Sequence, residues 1–354
     1  MQTLNLSDYK IHVGDVWTAI NKFLNENAFS KVAVIIDENT KKHCLPLLKA
    51  NVTSYDFSLI EIPSGEINKT ISTCELIWQR MMEYGLDRHS LTINLGGGVI
   101  GDMGGFCAAT FKRGMAFIQI PSTLLAQVDA SIGGKLGIDF NEVKNAVGLF
   151  QNPQAVFVDP VFLKTLSYKE LRSGFAEIIK HGLIADANLW KDLATVEDIY
   201  SLNMEDLIYR SLLVKQNVVE QDPFEKGIRK VLNFGHTIGH ALESVALNSS
   251  KPLLHGEAIA IGMVCEAWLS QKENNLTSVD LHTISKYIFG LYGKRTLLET
   301  DFPEYLSIMV QDKKNQGKTI NFTYLRSIGS STFDCTSSEE AILDSLRYYN
   351  SLTL

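Results

Sequence analysis

From about residue 30 to residue 160 the hydrophobic positions fall in short β-branched runs: Val32-Ala33-Val34-Ile35-Ile36, Ser58-Leu59-Ile60-Glu61-Ile62, Leu91-Thr92-Ile93-Asn94-Leu95, Ala116-Phe117-Ile118-Gln119-Ile120 and Ala155-Val156-Phe157-Val158. Runs that are apolar on both alternating faces suit strands covered by helices on each side, so a mostly parallel sheet is expected. Between the second and third runs, Cys74, Ile77, Trp78 and Met81 recur at helical spacing, with Gly85 as the stop. Beyond Asp159-Pro160 the apolar period lengthens to about 3.6 residues, through 170–185, 206–219, 231–246, 257–271 and 303–312. The pattern predicts a doubly wound α/β domain over 1–160 and a mainly helical domain over 161–354. A short strand within 319–325 and a helix opened by the capping box Ser337-Ser338-Glu339-Glu340 complete it.

A length of 354 residues fits two domains of ordinary size. With 33 Lys+Arg against 40 Asp+Glu the formal charge is −7, which excludes a broad nucleic-acid face and makes any anion site local. Five cysteines without a CxxC pair indicate neither a disulfide framework nor a cysteine zinc site. Residues Met1 to Asp8 lack the flank and core of a signal peptide, and the apolar run from Ala258 to Cys265 is too short to span a bilayer. A cytoplasmic setting without membrane or nucleic-acid partners is the expectation.

Several regions carry candidate chemistry. Gly96-Gly97-Gly98-Val99-Ile100-Gly101-Asp102 follows the third apolar run and opens a helical stretch. Such a turn either cradles a pyrophosphate on free N–H groups or serves tight packing, and spacing alone leaves both open. Asp37-Glu38-Asn39 and Pro63-Ser64-Gly65-Glu66-Ile67-Asn68-Lys69 end the first two runs, where open parallel sheets bind ligands. The segment from Lys112-Arg113-Gly114 to Asn145 interleaves Ser122, Thr123, Asp129, Lys135, Asp139 and Lys144 with glycines, a device for meeting phosphate or polyol oxygens. Finally, Arg229, Asn233, His236, His240 and Glu243 are spaced by 4, 3, 4 and 3 residues and would share one helix stripe. Glu177 with Lys180, and His255 ahead of Gly256-Glu257, are the other candidates; a carboxylate and two imidazoles suit a catalytic zinc-type ion with an open position. Separations of 59 and 19 positions do not by themselves bring Glu177, His236 and His255 together.

Taken jointly and in order from about Asp37 to Lys314, these motifs resemble the 3-dehydroquinate synthase family. The motifs are the glycine turn, Lys112-Arg113-Gly114, Pro121 to Asp129, Gly133-Gly134-Lys135, Ala176-Glu177-Ile178-Ile179-Lys180, Asn233 to His240 and His255 to Ala258. The resemblance implies an N-terminal Rossmann-like NAD domain, a C-terminal helical metal-binding domain and a homodimer. It implies a metal, zinc with cobalt as substitute, on Glu177, His236 and His255. NAD would meet Asp37, Asn39, Ser64, Glu66, Lys69, Gly97, Gly98, Val99, Ile100, Gly101, Asp102, Ser122, Thr123, Lys135, Lys144 and the turn Phe162, Leu163, Lys164, Thr165. The sugar-phosphate substrate would meet Asp129, Lys135, Asn145, Lys180, Lys215, Arg229, Asn233, His240 and one of Lys313 or Lys314, with Arg113 reaching phosphate across the dimer.

The implied reaction turns 3-deoxy-D-arabino-heptulosonate 7-phosphate into 3-dehydroquinate and inorganic phosphate, a shikimate-route step. It runs by transient oxidation, phosphate β-elimination, re-reduction and intramolecular aldol closure. Ser122 departs from a common Thr-Thr pair but keeps a hydroxyl. The alternatives are another sugar-phosphate cyclase, a polyol dehydrogenase, which usually offers Asp at the position of Glu177, or a non-catalytic NAD- and metal-binding regulator.

Overall fold

The computed structural model describes residues 1–141, 143–196, 198–247, 249, 251–311 and 319–353. It divides into two compact units, Met1–Leu171 with Asn203–Gln216, and Arg172–Leu202 with Asn217–Leu354.

The first unit carries strands β1 (Gln2–Asn5), β2 (Lys10–Val13), β3 (Val32–Ile36), β4 (Ser58–Glu61), β5 (Leu91–Gly96), β6 (Ala116–Pro121), β7 (Lys135–Phe140), β8 (Val143–Phe150) and β9 (Ala155–Val158). Seven of them form one sheet in the order β1-β2-β9-β6-β5-β3-β4. All its pairings are parallel except the terminal β1–β2 pair. The five apolar runs became β3, β4, β5, β6 and β9, as the pattern requires. Strands β1 and β2 escaped it because their four-residue sequences, QTLN and KIHV, mix polar and apolar residues; β1 is the sheet edge, where that mixture is tolerated, and β2 pairs with β1 and β9.

Alternation along each strand feeds two cores. Val32, Val34 and Ile36 of β3 join Leu91, Ile93 and Leu95 of β5 beneath the helices Trp17–Glu26 and Leu45–Asn51. Ala33 and Ile35 face the opposite core, with the helices Ile71–Glu83 and Gly98–Thr110. On that same side β5 presents Thr92 and Asn94, both fully buried. The glycine helix can lie close there because a Cβ at Gly104 would come within 2.4 Å of Asn94 Oδ1.

The Thr92 hydroxyl finds no hydrogen-bond partner among the described residues. Its shape-matched replacement Thr92→Val is therefore expected to stabilise the protein by about 1 kcal/mol, since it removes an unmet desolvation cost. Thermal denaturation checks this; a lower Tm would show that the hydroxyl is satisfied in solution.

The segment that interleaves cations and hydroxyls with glycines up to Asn145 is in part a β-hairpin. Strands β7 and β8 pair antiparallel, with Gly137 opposite Gly148. A Cβ at Gly148 would stand 2.2 Å from Leu136 O, which ties the glycine to backbone contact across the hairpin.

The second unit is built on the helix Tyr168–Ala185 from Arg172 onward and on the helices His236–Leu247, His255–Glu273, Ser278–Tyr292, Phe302–Gln311 and Glu339–Ser351, with a hairpin of β10 (Phe322–Ser327) and β11 (Ser330–Cys335). The last helix is capped by Ser338, whose side chain accepts from Ala341 N. The expected capping box does not form, because the cap falls one residue later than Ser337 and puts Ala341 where the carboxylate was needed. No described helix is long and apolar enough to cross a membrane. All five cysteines are free thiols, and burial pushes that of Cys44 up to about 12, away from nucleophilic use.

Candidate cofactor and metal sites

In the first unit the chain leaves β3 for the edge strand β4 and returns on the other side of β3 as β5, so the strand order reverses between β3 and β5. The carboxyl ends of strands beside such a reversal are where open α/β sheets hold ligands. Asp37 and Asn39 follow β3, Ser64 to Lys69 follow β4, the glycine turn ends β5, and Ser122 and Thr123 end β6.

The helix Gly98–Thr110 starts at Gly97 with no side-chain cap, leaving its first N–H groups for another acceptor. Side chains are excluded at the turn. A Cβ at Gly97 would sit 3.1 Å from Thr123 Cγ2, and one at Gly96 would lie 2.3 Å from Ile100 Cδ1. These residues fit a pyrophosphate held by backbone.

Several expected cofactor residues have internal partners. Asp37 caps the helix Glu38–His43 through Thr40 N at 2.7 Å. The Ser64 hydroxyl donates to Glu38 at 2.6 Å. Lys69 is buried and donates to Asp102 and to Asn145 Oδ1, each at 2.7 Å. Burial opposes the charge on that ammonium, but Asp102 and Glu66 outweigh it and hold the lysine above its ordinary value. Asn145 in turn donates its N–H to Asp139 at 2.8 Å. Ile100, Phe162 and Leu163 point their side chains into the protein, so any contact they offer is through backbone. Asn39, Lys135, Lys164 and Thr165 are exposed; Val99, Thr123 and Lys144 are half-buried.

Asp129 lies on a π-helical turn, Ala126–Ala130, a distortion common at functional positions. The buried Lys215 pairs with its carboxylate at 2.6 Å and also donates to its main-chain carbonyl.

The second unit assembles the three expected metal ligands from three helices. Glu177 is fully buried, with its Oε1 3.5 Å from His236 Nε2 and 3.7 Å from His255 Nε2, while Lys180 pairs with Oε2. The other ring nitrogens are used elsewhere: His236 Nδ1 lies 3.1 Å from Phe234 O, and His255 Nδ1 lies 3.1 Å from Glu243 Oε2. Both rings thus aim Nε2 at the carboxylate. His240 joins them, its ring 5.1 Å from that of His236 and 5.8 Å from that of His255. One nitrogen from each of the three imidazoles lies within 4.8 Å of the other two. Burial disfavours the imidazolium of His255, but hydrogen bonds to Glu177 and Glu243 outweigh it and raise the pKa to about 9. The surroundings that favour that proton are those that would attract a divalent cation, and the donor set fits one.

The single polar helix stripe expected from Arg229 to Glu243 is not formed. A 3₁₀ turn, Ile228–Asn233, carries Arg229 and Asn233, and the α-helix begins at His236 after Gly235 at φ +79°. The cause is tertiary: a Cβ at Gly235 would meet Met263 Cγ at 2.6 Å, so the chain turns where the two helices touch. Arg229 is buried, its Nη1 on Pro223 O at 2.6 Å and its N–H on Asp222 at 3.1 Å. Asn233 donates to Glu225 at 2.9 Å. Glu225 and Glu266 were not singled out from sequence, and Glu243 was placed on the stripe without a role. Nothing in periodicity marks Glu225, which sits in a loop at φ +58°. Glu266 is legible only as an acid inside an apolar helix. Lys313 and Lys314 lie outside the described residues.

Solved structures with this fold include 2-epi-5-epi-valiolone synthase from Streptomyces hygroscopicus subsp. jinggangensis with NAD+ and Zn2+ bound, at TM-score 0.86 and 25% identity over 99% of this chain and 98% of that one. Another is 2-deoxy-scyllo-inosose synthase with carbaglucose-6-phosphate, NAD+ and Co2+, at TM-score 0.85 and 22% identity over 98% and 99%. The fold is that of the sugar-phosphate cyclases. Models of the N-terminal and C-terminal parts of 3-dehydroquinate synthase match residues 59–173 and 174–315. The 3-dehydroquinate synthase of Parabacteroides distasonis is 41% identical over 348 residues, 97% of this chain and 98% of the relative; that of Clostridium acetobutylicum is 40% identical over 318 residues, 88% of each. The chain belongs to the 3-dehydroquinate synthase family.

Proposed function

We propose that this chain converts 3-deoxy-D-arabino-heptulosonate 7-phosphate into 3-dehydroquinate and inorganic phosphate, as a carbon–oxygen lyase dependent on NAD and a divalent metal. The observation that carries this reading is the convergence of Glu177 Oε1 on Nε2 of His236 and His255 at 3.5 and 3.7 Å. Glu177, His236 and His255 would hold zinc, or cobalt in its place. The uncapped glycine turn would hold the NAD pyrophosphate. When bound, the ion supplies Lewis acidity at a substrate hydroxyl, and NAD takes up and returns a hydride, so no net redox results.

The chain's own residues supply charge balance, orientation and proton handling. Lys180 and Lys215 are buried ammonium groups, each beside one carboxylate, and would offset an anionic substrate. Arg229, with one nitrogen fixed on Pro223 O, presents a guanidinium that would meet substrate oxygens. The amide of Asn233, oriented by Glu225, would bind a hydroxyl. His240 stands one helical turn after His236 and would accept the proton of the hydroxyl being oxidised. Asp129, Lys135 and Asn145 would complete the substrate contacts.

A homodimer is part of the proposal, with Arg113 serving phosphate across the interface. Lys112 and Arg113 both adopt left-handed backbone, at φ +49° and +69°, a strain of about 1–3 kcal/mol each. Arg88 holds Lys112 O at 2.7 Å, and Arg113 itself is exposed. A cytoplasmic setting accords with five free thiols.

The test is phosphate release from the heptulosonate phosphate with NAD and Zn2+ or Co2+. Turnover is expected to stop on chelation and to return when metal is restored. Absence of release with both cofactors present would reject the assignment.

A further inference from the structure

We propose that Glu243 is a positioning residue for the ion: it fixes the ring of His255 so that Nε2 faces Glu177 and His236. This rests on reading those three side chains as ligands. Glu243 lies seven positions after His236 on the same helix, which puts it on the same face two turns along, and its Oε2 is 3.1 Å from His255 Nδ1. A carboxylate only accepts, so Nδ1 carries a hydrogen whether the ring is neutral or charged, and Nε2 is the nitrogen that gives up its proton and offers its lone pair when an ion binds.

The two imidazoles are held differently. His236 Nδ1 is met by a backbone carbonyl, that of Phe234, which no side-chain substitution removes. His255 is the first residue of its helix, has 26% of its side chain exposed against 10% for His236, and is oriented through a replaceable side chain. Glu243, 10% exposed, is well screened from water there, which strengthens its hold. Orientation of His255, unlike that of His236, therefore depends on one carboxylate supplied by a neighbouring helix. The same carboxylate raises the basicity of Nε2 toward a cation.

Co2+ titration of the metal-free full-length protein, read by visible d–d absorption and chelator competition, tests this on wild type, Glu243→Gln and Glu243→Ala. Glu243→Ala is expected to weaken Co2+ binding by about 10- to 100-fold and to alter the absorption band. Glu243→Gln, whose amide oxygen still accepts from Nδ1, is expected to lie between, a partial rescue that loss of packing alone would not give. Wild-type affinity and spectrum in Glu243→Ala would overturn the inference. If Glu243→Ala does not fold, Glu243→Gln decides, and unchanged affinity there overturns it. A wild-type protein whose Co2+ spectrum is absent, or survives in Glu177→Gln, would instead reject the ligand set itself and this inference with it.

Discussion

Replacing Glu177 by alanine is expected to abolish phosphate release and to release the bound divalent ion, while the chain stays soluble. The Lys180 ammonium and the Nε2 atoms of His236 and His255 lie beside this fully buried carboxylate. Without it the proposed ion would lose the one anionic group among its three proposed ligands, and Lys180 would be left as a buried charge. Breaking a buried pair in this way costs about 3–5 kcal/mol, so a lower Tm should accompany the loss of activity. Glu177→Gln keeps the volume and separates the effects: turnover should still vanish, with a smaller loss of stability. In the metal-free Glu177→Gln protein the His255 pKa should fall below the wild-type value of about 9, because one of the two hydrogen-bonded carboxylates that hold it up against burial is gone. His236→Ala should match Glu177→Ala in turnover. Near-normal phosphate release in both would remove the metal site from the account.

Gly262→Ala should be nearly as damaging without touching a ligand. A Cβ at Gly262 would stand 2.0 Å from Gly235 O and 2.9 Å from Gly239 N, so it meets backbone that cannot rotate away. That backbone is the start of the helix that carries His236. One turn further on, Glu266 accepts from Gly235 N, Thr237 N and Ile238 N at 2.7, 3.1 and 3.2 Å, satisfying the same helix start. Forcing the helices apart breaks both arrangements, and a cost of about 3 kcal/mol is expected. Cobalt affinity and turnover should fall with Tm, because His236 moves. Gly290→Ala is the matched control. It lies in the helix Ser278–Tyr292 with nothing near its Cβ position, so alanine should stabilise by about 0.5–1 kcal/mol through lower unfolded-state entropy. If Gly262→Ala proved as benign as Gly290→Ala, the close seating of the two helices would be excluded as the support of His236.

Much of the first unit was legible. The strands β3, β5 and β9 coincide closely with their apolar runs because burial on both faces leaves no other pattern. The glycine turn was legible too, and close packing is one use of it: a Cβ at Gly96 would lie 2.3 Å from Ile100 Cδ1 and one at Gly97 3.1 Å from Thr123 Cγ2. The hairpin β7–β8 was not foreseen, because its glycines and charged residues break the apolar alternation that marks a strand. Lys69 could be placed at a strand end but not joined to Asp102 and Asn145, since those partners are 33 and 76 positions away. In the second unit the helical period ran straight through Phe234 and Gly235, so Arg229 and Asn233 were put on a stripe that the packing of Gly235 against Met263 interrupts.

The chain alone determined the fully buried strands and most of the long helices, and which residue types are available for chemistry. Both follow from local periodicity and from the identities of Glu177, His236 and His255. Only the tertiary structure decided that these three meet, because their approach depends on glycine contacts between helices rather than on any spacing along the sequence. It also decided which nitrogen each imidazole offers. A histidine does not carry that choice itself; the acceptor at its other nitrogen makes it, a carbonyl for His236 and Glu243 for His255.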